Sequence, residues 1–149
     1  MIRYLLDTDV VSQAGKASPN VAVTAWLDSV DDHALAISVV TLRERWEGAE
    51  KARRAGAPQA AAIAADVERM AAAFRGRILP VDERVARYWA ALLVPDQSRA
   101  DDKCQVAIAS VFGLTLVSLN WRHVQGLGVP VLNPGRRPPS SIPRDRFLS

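Results

Sequence analysis

The chain begins with the run Ile2-Arg3-Tyr4-Leu5-Leu6-Asp7-Thr8-Asp9, which is mostly apolar and then turns acidic. Apart from Arg3, the residues before Asp7 are apolar or aromatic, and this pattern predicts a short, mostly buried strand. In open α/β sheets, sites lie at the carboxyl ends of the strands. Asp7 therefore either caps the following helix, as Asp often does, or belongs to a site. The site interpretation gains weight only if further acids occupy similar positions.

Short apolar runs continue along the chain, and helical segments separate them. The runs are residues 34–38, 78–81, 114–118 and 129–132. Strands that alternate with helices predict an α/β protein, with three layers (α/β/α) around a mainly parallel sheet. Pro130 places the last strand at a sheet edge. We expect residues 1–134 to form this single domain and the Pro- and Arg-rich tail 135–149 to be irregular or disordered.

Capping residues predict where two of the helices begin. Ser18-Pro19 suits a helix start, with serine at the N-cap and proline in the first turn, and this helix should turn Val21 toward the core. Thr41 is expected to cap a later helix. Thr41-x-x-Glu44 also matches a capping box, in which Glu44 bonds back to the backbone of Thr41. Glu44 is therefore either a capping residue or a site residue.

The composition limits the class of protein and of metal site. A hydrophobic fraction of 49% with 23% charged residues is typical of a soluble globular protein. The single Cys104 can form no internal disulfide, which indicates a reducing cytoplasm and a packing role for this thiol. With only His33 and His123, a metal must be held mainly by oxygen, which favours Mg²⁺ or Mn²⁺ over Zn²⁺. No signal peptide or membrane span is predicted.

Three acids are expected to meet at one edge of the sheet. Asp7 ends a strand, Glu44 lies in the first turn of a helix that follows a strand, and Asp102 lies in the first turn of another helix. Asn120 follows the last strong strand. Carboxylates that lie so close together repel one another strongly unless a cation is bound. Oxygen ligands suit Mg²⁺ or Mn²⁺, which could activate a water for attack on a phosphodiester.

Four segments of the chain resemble the motifs of one known family. They are LLDTDVVS at 5–12, SVVTLRERWEG at 38–48, LTLVSLN at 114–120 and GLGVPVLNP at 126–134. Together they resemble the PIN-domain ribonucleases, in particular the VapC-like toxins of type II toxin–antitoxin (VapBC) pairs. The resemblance implies a PIN fold, cleavage of RNA (tRNA, rRNA or mRNA) with Mg²⁺ or Mn²⁺, a homodimer, and a cognate VapB-like antitoxin.

The resemblance also implies roles for individual residues. Asp7, Glu44 and Asp102 would be catalytic and would hold the metal, Glu44 either directly or through water. Asp102 is preferred to the neighbouring Asp101 because its spacing from Leu114 fits the family. Supporting roles at the metal or its water ligands fall on Thr8, Asp9, Ser118 and Asn120.

The chain departs from the family near the fourth acid. Asn120 stands at that position, and His123 occupies a place where aspartate is common. With three firm acids, a second metal is expected to bind weakly or not at all. Thr8 and Ser118 have a second interpretation, because each could serve only as a cap at the end of a strand or the start of a helix.

Arginine supplies nearly all of the positive charge, and its planar fork suits phosphate. The candidate RNA-binding residues, which flank the acidic motifs, are Arg43, Arg45, Arg99 and Arg122. Trp46 and Trp121 could stack an unpaired base, although packing is the simpler role for Trp46. The net charge of +3 is only weak evidence for nucleic acid.

Two other functions compete with a ribonuclease. Asp7-Thr8-Asp9-Val10-Val11 fits the opening motif of haloacid dehalogenase-like phosphatases, in which Asp7 would be the nucleophile. That class needs its Ser or Thr before its Lys, whereas here the strand-end Ser118 follows Lys103. The second competitor is a catalytically silent PIN module that binds RNA or protein, because a fold does not fix a function.

Overall fold

A five-stranded parallel sheet forms the centre of the structure, a computed structural model that describes residues 1–13 and 15–136. The strands are β1 (Tyr4–Leu6), β2 (Leu35–Ser38), β3 (Ile78–Leu79), β4 (Thr115–Val117) and β5 (Val131–Leu132). Their order in the sheet is β3-β2-β1-β4-β5, and every pairing is parallel. The predicted sheet is confirmed, as is the edge position of the Pro130 strand.

Helices precede or follow every strand. They are α1 (Thr8–Gln13), α2 (Val21–Ser29), α3 (Val39–Arg54), α4 (Ala60–Ala73), α5 (Glu83–Leu93), α6 (Ala100–Phe112) and α7 (Trp121–Val124), with a 3₁₀ turn at Asp32–Ala34. The sequence analysis did not anticipate α7. Within the described ranges, none of these helices combines the length and apolarity that crossing a bilayer requires.

The central strand β1 divides the core into two clusters. Neighbouring side chains along a strand point to opposite faces of the sheet. Leu5 accordingly packs with Leu116 and the apolar residues of α5 and α6, whereas Leu6 packs with Val117 and residues of α1 and α2. Both faces of the sheet are therefore covered, as all-parallel sheets require. This arrangement confirms the predicted three layers.

The start of α2 differs from the prediction. Its N-cap is Asn20, not Ser18, and the Asn20 Oδ1 accepts hydrogen bonds from the amides of Ala22 at 2.9 Å and Val23 at 3.2 Å. The shift of two residues turns a different face inward. Val21 is 82% exposed, while Val23 is fully buried. The core position predicted for Val21 is therefore wrong. Asn and Ser are comparable caps, and the helix begins after the second of these two residues.

The predicted capping box at the start of α3 is also wrong. The helix begins at Val39, directly after β2, and its N-cap is Ser38, whose Oγ accepts from the amide of Thr41 at 3.4 Å. Thr41 lies inside the helix and is buried. Glu44 is consequently in the second turn, where it caps nothing.

Other sequence predictions agree with the structure. The Cys104 thiol is buried in the core, as expected for a packing role. Asp102 lies in the first turn of α6, as expected. The tail from residue 137 onward lies outside the described residues, so the predicted boundary at 134 stays a prediction.

The corrected cap leads to a stability test. Asn20→Ala should lower the free energy of unfolding by about 1 kcal/mol, because two first-turn amides of α2 lose their acceptor. Ser18→Ala is the matched control and should change it by less than about 0.5 kcal/mol. Urea denaturation followed by circular dichroism measures both values. Equal losses in the two variants would contradict the assignment of the cap.

Candidate functional site

The candidate site lies at the carboxyl edge of β1, β2 and β4. The Asp7 amide donates to the Val117 carbonyl at 2.9 Å, so the first residue after β1 is held against the end of β4. Ser118 is the residue that follows β4. Because β1 pairs with both β2 and β4, three strand ends meet at one place. The predicted convergence of the carboxyl ends is therefore observed.

Asp7 is the most deeply buried acid of this edge, with 6% of its surface exposed. Its Oδ1 accepts from the Thr8 amide at 2.8 Å and its Oδ2 from the Ser118 hydroxyl at 3.0 Å. Burial, aided by the charges of Asp9 and Asp102, nevertheless raises the pKa of Asp7 to about 7. The two hydrogen bonds act against this rise without cancelling it. The hydrogen bonds within the protein therefore offset the negative charge of Asp7 only in part.

Asp9 connects the start of α1 to the turn between β4 and α7. Its Oδ2 accepts from the amides of Leu119 at 3.2 Å and Asn120 at 3.1 Å, and a longer contact of 3.4 Å joins it to the Ser118 hydroxyl. The other oxygen, Oδ1, is buried and has no hydrogen-bond partner among the described residues. A buried acceptor without a donor is costly. Asp9 therefore fixes the turn and leaves one oxygen for another ligand.

Glu44 and Asp102 complete the group of acids, and both are partly buried. Burial raises the pKa of Glu44, with contributions from Asp101 and Asp102, while the Thr8 hydroxyl and Arg43 act against the rise. Burial also raises the pKa of Asp102, and the charges of His123 and Arg99 oppose it. Three acids with raised pKa values therefore share one edge of the sheet.

The chemistry of this group suits a hard divalent cation. All of its donors are carboxylate oxygens, the class that Mg²⁺ prefers, and the unpartnered Oδ1 of Asp9 is a further free acceptor. In the described part of the chain, no three His, Cys, Asp or Glu side chains form a compact ligand cluster. Mutual repulsion opposes such a cluster until a cation offsets the charge. The residues fit a cation that draws them together.

Asp101 and Asp102 face different surroundings. Asp101 pairs with Arg43, whose guanidinium also contacts Glu47 at 3.3 Å. All three side chains are about half exposed, so this pairing bridges α3 and α6 at the surface. Asp102 instead interacts with Asp9 and Asp7. The two neighbouring acids therefore differ in their charged partners, and the choice of Asp102 over Asp101 stays a prediction.

The four candidate RNA-binding arginines occupy different places. Arg43 lies beside Glu44, and Arg99, in the left-handed conformation with φ 54°, contacts the His123 ring near Asp102. Arg45 donates to the Ser12 hydroxyl at 3.2 Å, and the Arg122 guanidinium lies 5.6 Å from the centre of the Trp121 ring. Of these four arginines, only Arg43 and Arg99 lie near the acids Glu44 and Asp102.

Asn120 and Trp46 lie on the surface. The exposed Asn120 occupies the N-cap position of α7, where its side chain makes no capping bond within the described structure. Its backbone amide is held by Asp9 instead. Trp46 is 38% exposed on α3, so full burial in the core is not its role.

Sequence reasoning missed a group of buried polar residues behind the acids. Ser38 Oγ donates to Gln105 Oε1 at 2.7 Å, Gln105 Nε2 donates to Thr41 Oγ1 at 3.0 Å, and Thr41 Oγ1 lies 3.0 Å from Thr8 Oγ1. Gln105 is 1% exposed in the most buried stretch of α6. Its signal in the sequence was a polar amide within an otherwise apolar run.

Comparison with known proteins identifies the fold family. The sequence pattern of the PIN domain matches residues 4–125, which is most of the chain. The chain belongs to the PIN domain family. This assignment decides against the haloacid dehalogenase-like alternative, and it agrees with the sheet order and the position of the acids described above.

Several relatives resemble this PIN domain along nearly their whole length. VapC ribonuclease Y4jK of Sinorhizobium fredii is 27% identical over 135 residues, which cover 87% of this chain and 96% of that protein. FitAcB from Neisseria gonorrhoeae superposes with a TM-score of 0.80 at 29% identity, covering 90% of this chain and 99% of the other. DNA-bound VapBC from Salmonella typhimurium superposes with a TM-score of 0.72 at 20% identity, covering 90% of this chain and 99% of the other. At this identity the likeness concerns the fold alone.

The raised pKa of Asp7 predicts how stability varies with pH in the absence of metal. Between pH ~4 and the folded-state pKa of about 7, folded Asp7 holds a proton that the unfolded chain has released. The free energy of unfolding should therefore fall as pH rises through this window. Asp7→Asn removes that contribution and should be more stable than the wild type above pH 7, by on the order of 2–4 kcal/mol.

Urea denaturation in EDTA at several pH values measures this effect. Asp28→Asn, which changes an exposed acid on α2, is the control and should keep the pH dependence of the wild type. If Asp7→Asn also keeps the pH dependence of the wild type, the buried charge of Asp7 is not the source of that dependence.

Proposed function

We propose that this PIN domain is a metal-dependent endoribonuclease, the toxin of a VapBC-type toxin–antitoxin pair, which hydrolyses RNA phosphodiester bonds. The observation that carries the proposal is the buried Asp7 carboxylate, whose pKa burial and the charges of Asp9 and Asp102 raise to about 7. Such a group of acids is strongly unfavourable unless a cation offsets it. The similarity to a VapC ribonuclease supports the choice of RNA as substrate.

Asp7, Asp102 and Glu44 are the proposed ligands of Mg²⁺ or Mn²⁺, with Glu44 acting directly or through water. The cation, when bound, supplies Lewis acidity that acidifies water and offsets the charge on a phosphate. In the absence of a cation, Asp7 is partly protonated near neutral pH, so binding displaces a proton from its carboxylate. Metal affinity should consequently rise with pH in this range.

The surrounding residues orient these acids. The Ser118 hydroxyl and the Thr8 amide each donate to one oxygen of Asp7, which fixes the plane of the carboxylate. Asp9 holds the turn after β4 and so keeps Ser118 in place. In metal sites, hydrogen bonds donated to a ligating carboxylate set the direction of that carboxylate. Thr8, Asp9 and Ser118 are therefore proposed as supporting residues, and Asn120 as a residue of the rim.

Arg43 and Arg99 are the proposed phosphate contacts, because they lie beside Glu44 and Asp102 respectively. Arg45 and Arg122 are more distant candidates. Arg122 and Arg136 both lie over the Trp121 ring, at 5.6 Å and 4.5 Å from its centre. An unpaired base of a single-stranded RNA could stack on the Trp121 ring beside these guanidinium groups.

A VapB-like antitoxin is the proposed partner in the cytoplasm, where the chain would act as a homodimer. The similarity of this PIN domain to a VapC ribonuclease and to FitAcB supplies the analogy for the pairing. An apolar groove of about 890 Å³ supports it further, since it runs between α2, Trp121 and β5 and could take an apolar segment of a partner.

Cleavage of RNA is the first test. The chain should cut total RNA in Mg²⁺ or Mn²⁺, EDTA should abolish cutting, and Asp7→Asn should lower the rate by at least about 100-fold because a metal ligand is lost. Glu44→Gln and Asp102→Asn should each lower it too. Gel analysis of 5′-labelled RNA measures the rates.

Asp28→Asn is the matched control, since it removes an exposed carboxylate far from the site, and its rate should equal that of the wild type. Cutting that persists in EDTA would rule out the metal mechanism. RNA binding without any cutting by the wild type would favour the silent binding module instead.

The antitoxin is tested separately in cells. Expression of the chain should arrest growth, Asp7→Asn should not, and a small protein encoded beside this gene should copurify with the chain and restore growth. Arrest that no neighbouring gene product relieves would contradict the VapBC pairing while leaving the nuclease intact.

A further inference from the structure

A row of four polar side chains passes through the interior behind the acids. Its members, in spatial order, are Ser38, Gln105, Thr41 and Thr8, joined by distances of 2.7, 3.0 and 3.0 Å. Ser38, Gln105 and Thr41 are at most 1% exposed. The row starts at the end of β2 and ends at the Thr8 hydroxyl, which lies close enough to Glu44 to lower the pKa of its carboxyl.

The direction of each hydrogen bond in the row follows from its first member. Ser38 Oγ accepts the Thr41 amide, so its own proton is free to be donated to Gln105 Oε1. The amide nitrogen of Gln105 must then face Thr41 and donate to its oxygen. If the amide were reversed, Ser38 would receive two donors and its proton would lack this acceptor.

The next two bonds depend on this one. Because Thr41 Oγ1 already accepts from Gln105, its proton is available for Thr8 Oγ1. The proton of Thr8 is then free for an acceptor outside the row, and the Glu44 carboxylate is near enough for the Thr8 hydroxyl to lower its pKa. A hydroxyl alone has no preferred direction, since it both donates and accepts. The amide is the one group of the row whose two ends differ.

We propose that Gln105 is a positioning residue that sets the direction of this row, so that the Thr8 hydroxyl donates to Glu44 and holds its carboxylate in place. The inference rests on the proposed nuclease function, in which Glu44 is a ligand. It explains why an amide occupies a fully buried position of α6: burial of Gln is unfavourable unless both of its ends are bonded, and here both are.

Gln105→Met tests the inference because it keeps the length of the side chain and removes the directing amide. Thr41 Oγ1 can then accept from Thr8, which turns the Thr8 proton away from Glu44. We expect Mn²⁺ affinity, measured by electron paramagnetic resonance, to fall about tenfold. The value of kcat should fall with it, while KM for RNA stays nearly constant, because Gln105 is too deeply buried to contact RNA.

A double-mutant cycle with Thr8→Val separates direction from packing. If Gln105 acts through the row, its substitution should cost no further Mn²⁺ affinity once the Thr8 hydroxyl is gone. Thr41→Val should reproduce the loss, and Thr41→Ser, which keeps a hydroxyl, should restore it. Val106→Ala, a core change beside Gln105, is the control for general destabilisation and should leave Mn²⁺ affinity unchanged.

The outcomes distinguish this inference from the nuclease proposal. Additive effects of Gln105→Met and Thr8→Val, or a loss of Mn²⁺ affinity in Val106→Ala, would overturn the positioning role while an active wild type upholds the nuclease. In metal-free protein, NMR should show the Gln105 side-chain amide protons protected from exchange in the wild type and in Thr8→Val, but not in Thr41→Val. If the variants show this pattern of amide protection but the wild type cuts no RNA, the nuclease proposal alone is overturned. If the pattern of protection is not seen, the directed row is overturned.

Discussion

Negative charge buried at one edge of a parallel sheet is the constraint on which this structure depends. Asp7 receives two hydrogen bonds and its pKa is still raised, because burial and neighbouring acids outweigh both donors. The compensating groups lie around Asp7: Arg43 is beside Glu44, Arg99 is near Asp102, and amides of the β4–α7 turn donate to one oxygen of Asp9. The remaining imbalance is what a cation would relieve.

The order of the strands makes this concentration of charge possible. With β1 between β2 and β4, residues that follow three separate strands share one edge, and each is held by backbone pairing on a rigid sheet. The helices then add acids from their first two turns. Loops contribute little to the position of the acids, because Asp7 directly follows β1 while Glu44 and Asp102 lie in α3 and α6.

The sequence predicted the sheet because short buried runs mark its strands, and the carboxylates near the ends of those runs allowed a site to be proposed there. It failed where chemically similar residues compete. Ser18 and Asn20 are comparable caps, and only packing of Val23 decides between them. Thr41 and Ser38 compete in the same way. The role of Gln105 was beyond prediction, since its partners are more than sixty residues away in the chain.

The central position of β1 also has a consequence for the order in which the molecule is made. The bond from Ser118 to Asp7 joins residues 111 positions apart, whereas β1 and β2 are near neighbours in the chain. Synthesis proceeds from the N-terminus, so β1 and β2 can pair while β4 is still inside the ribosome. The carboxylates then lack the strand that orients them. A nascent chain thus completes this group of acids only after its last third has emerged and docked.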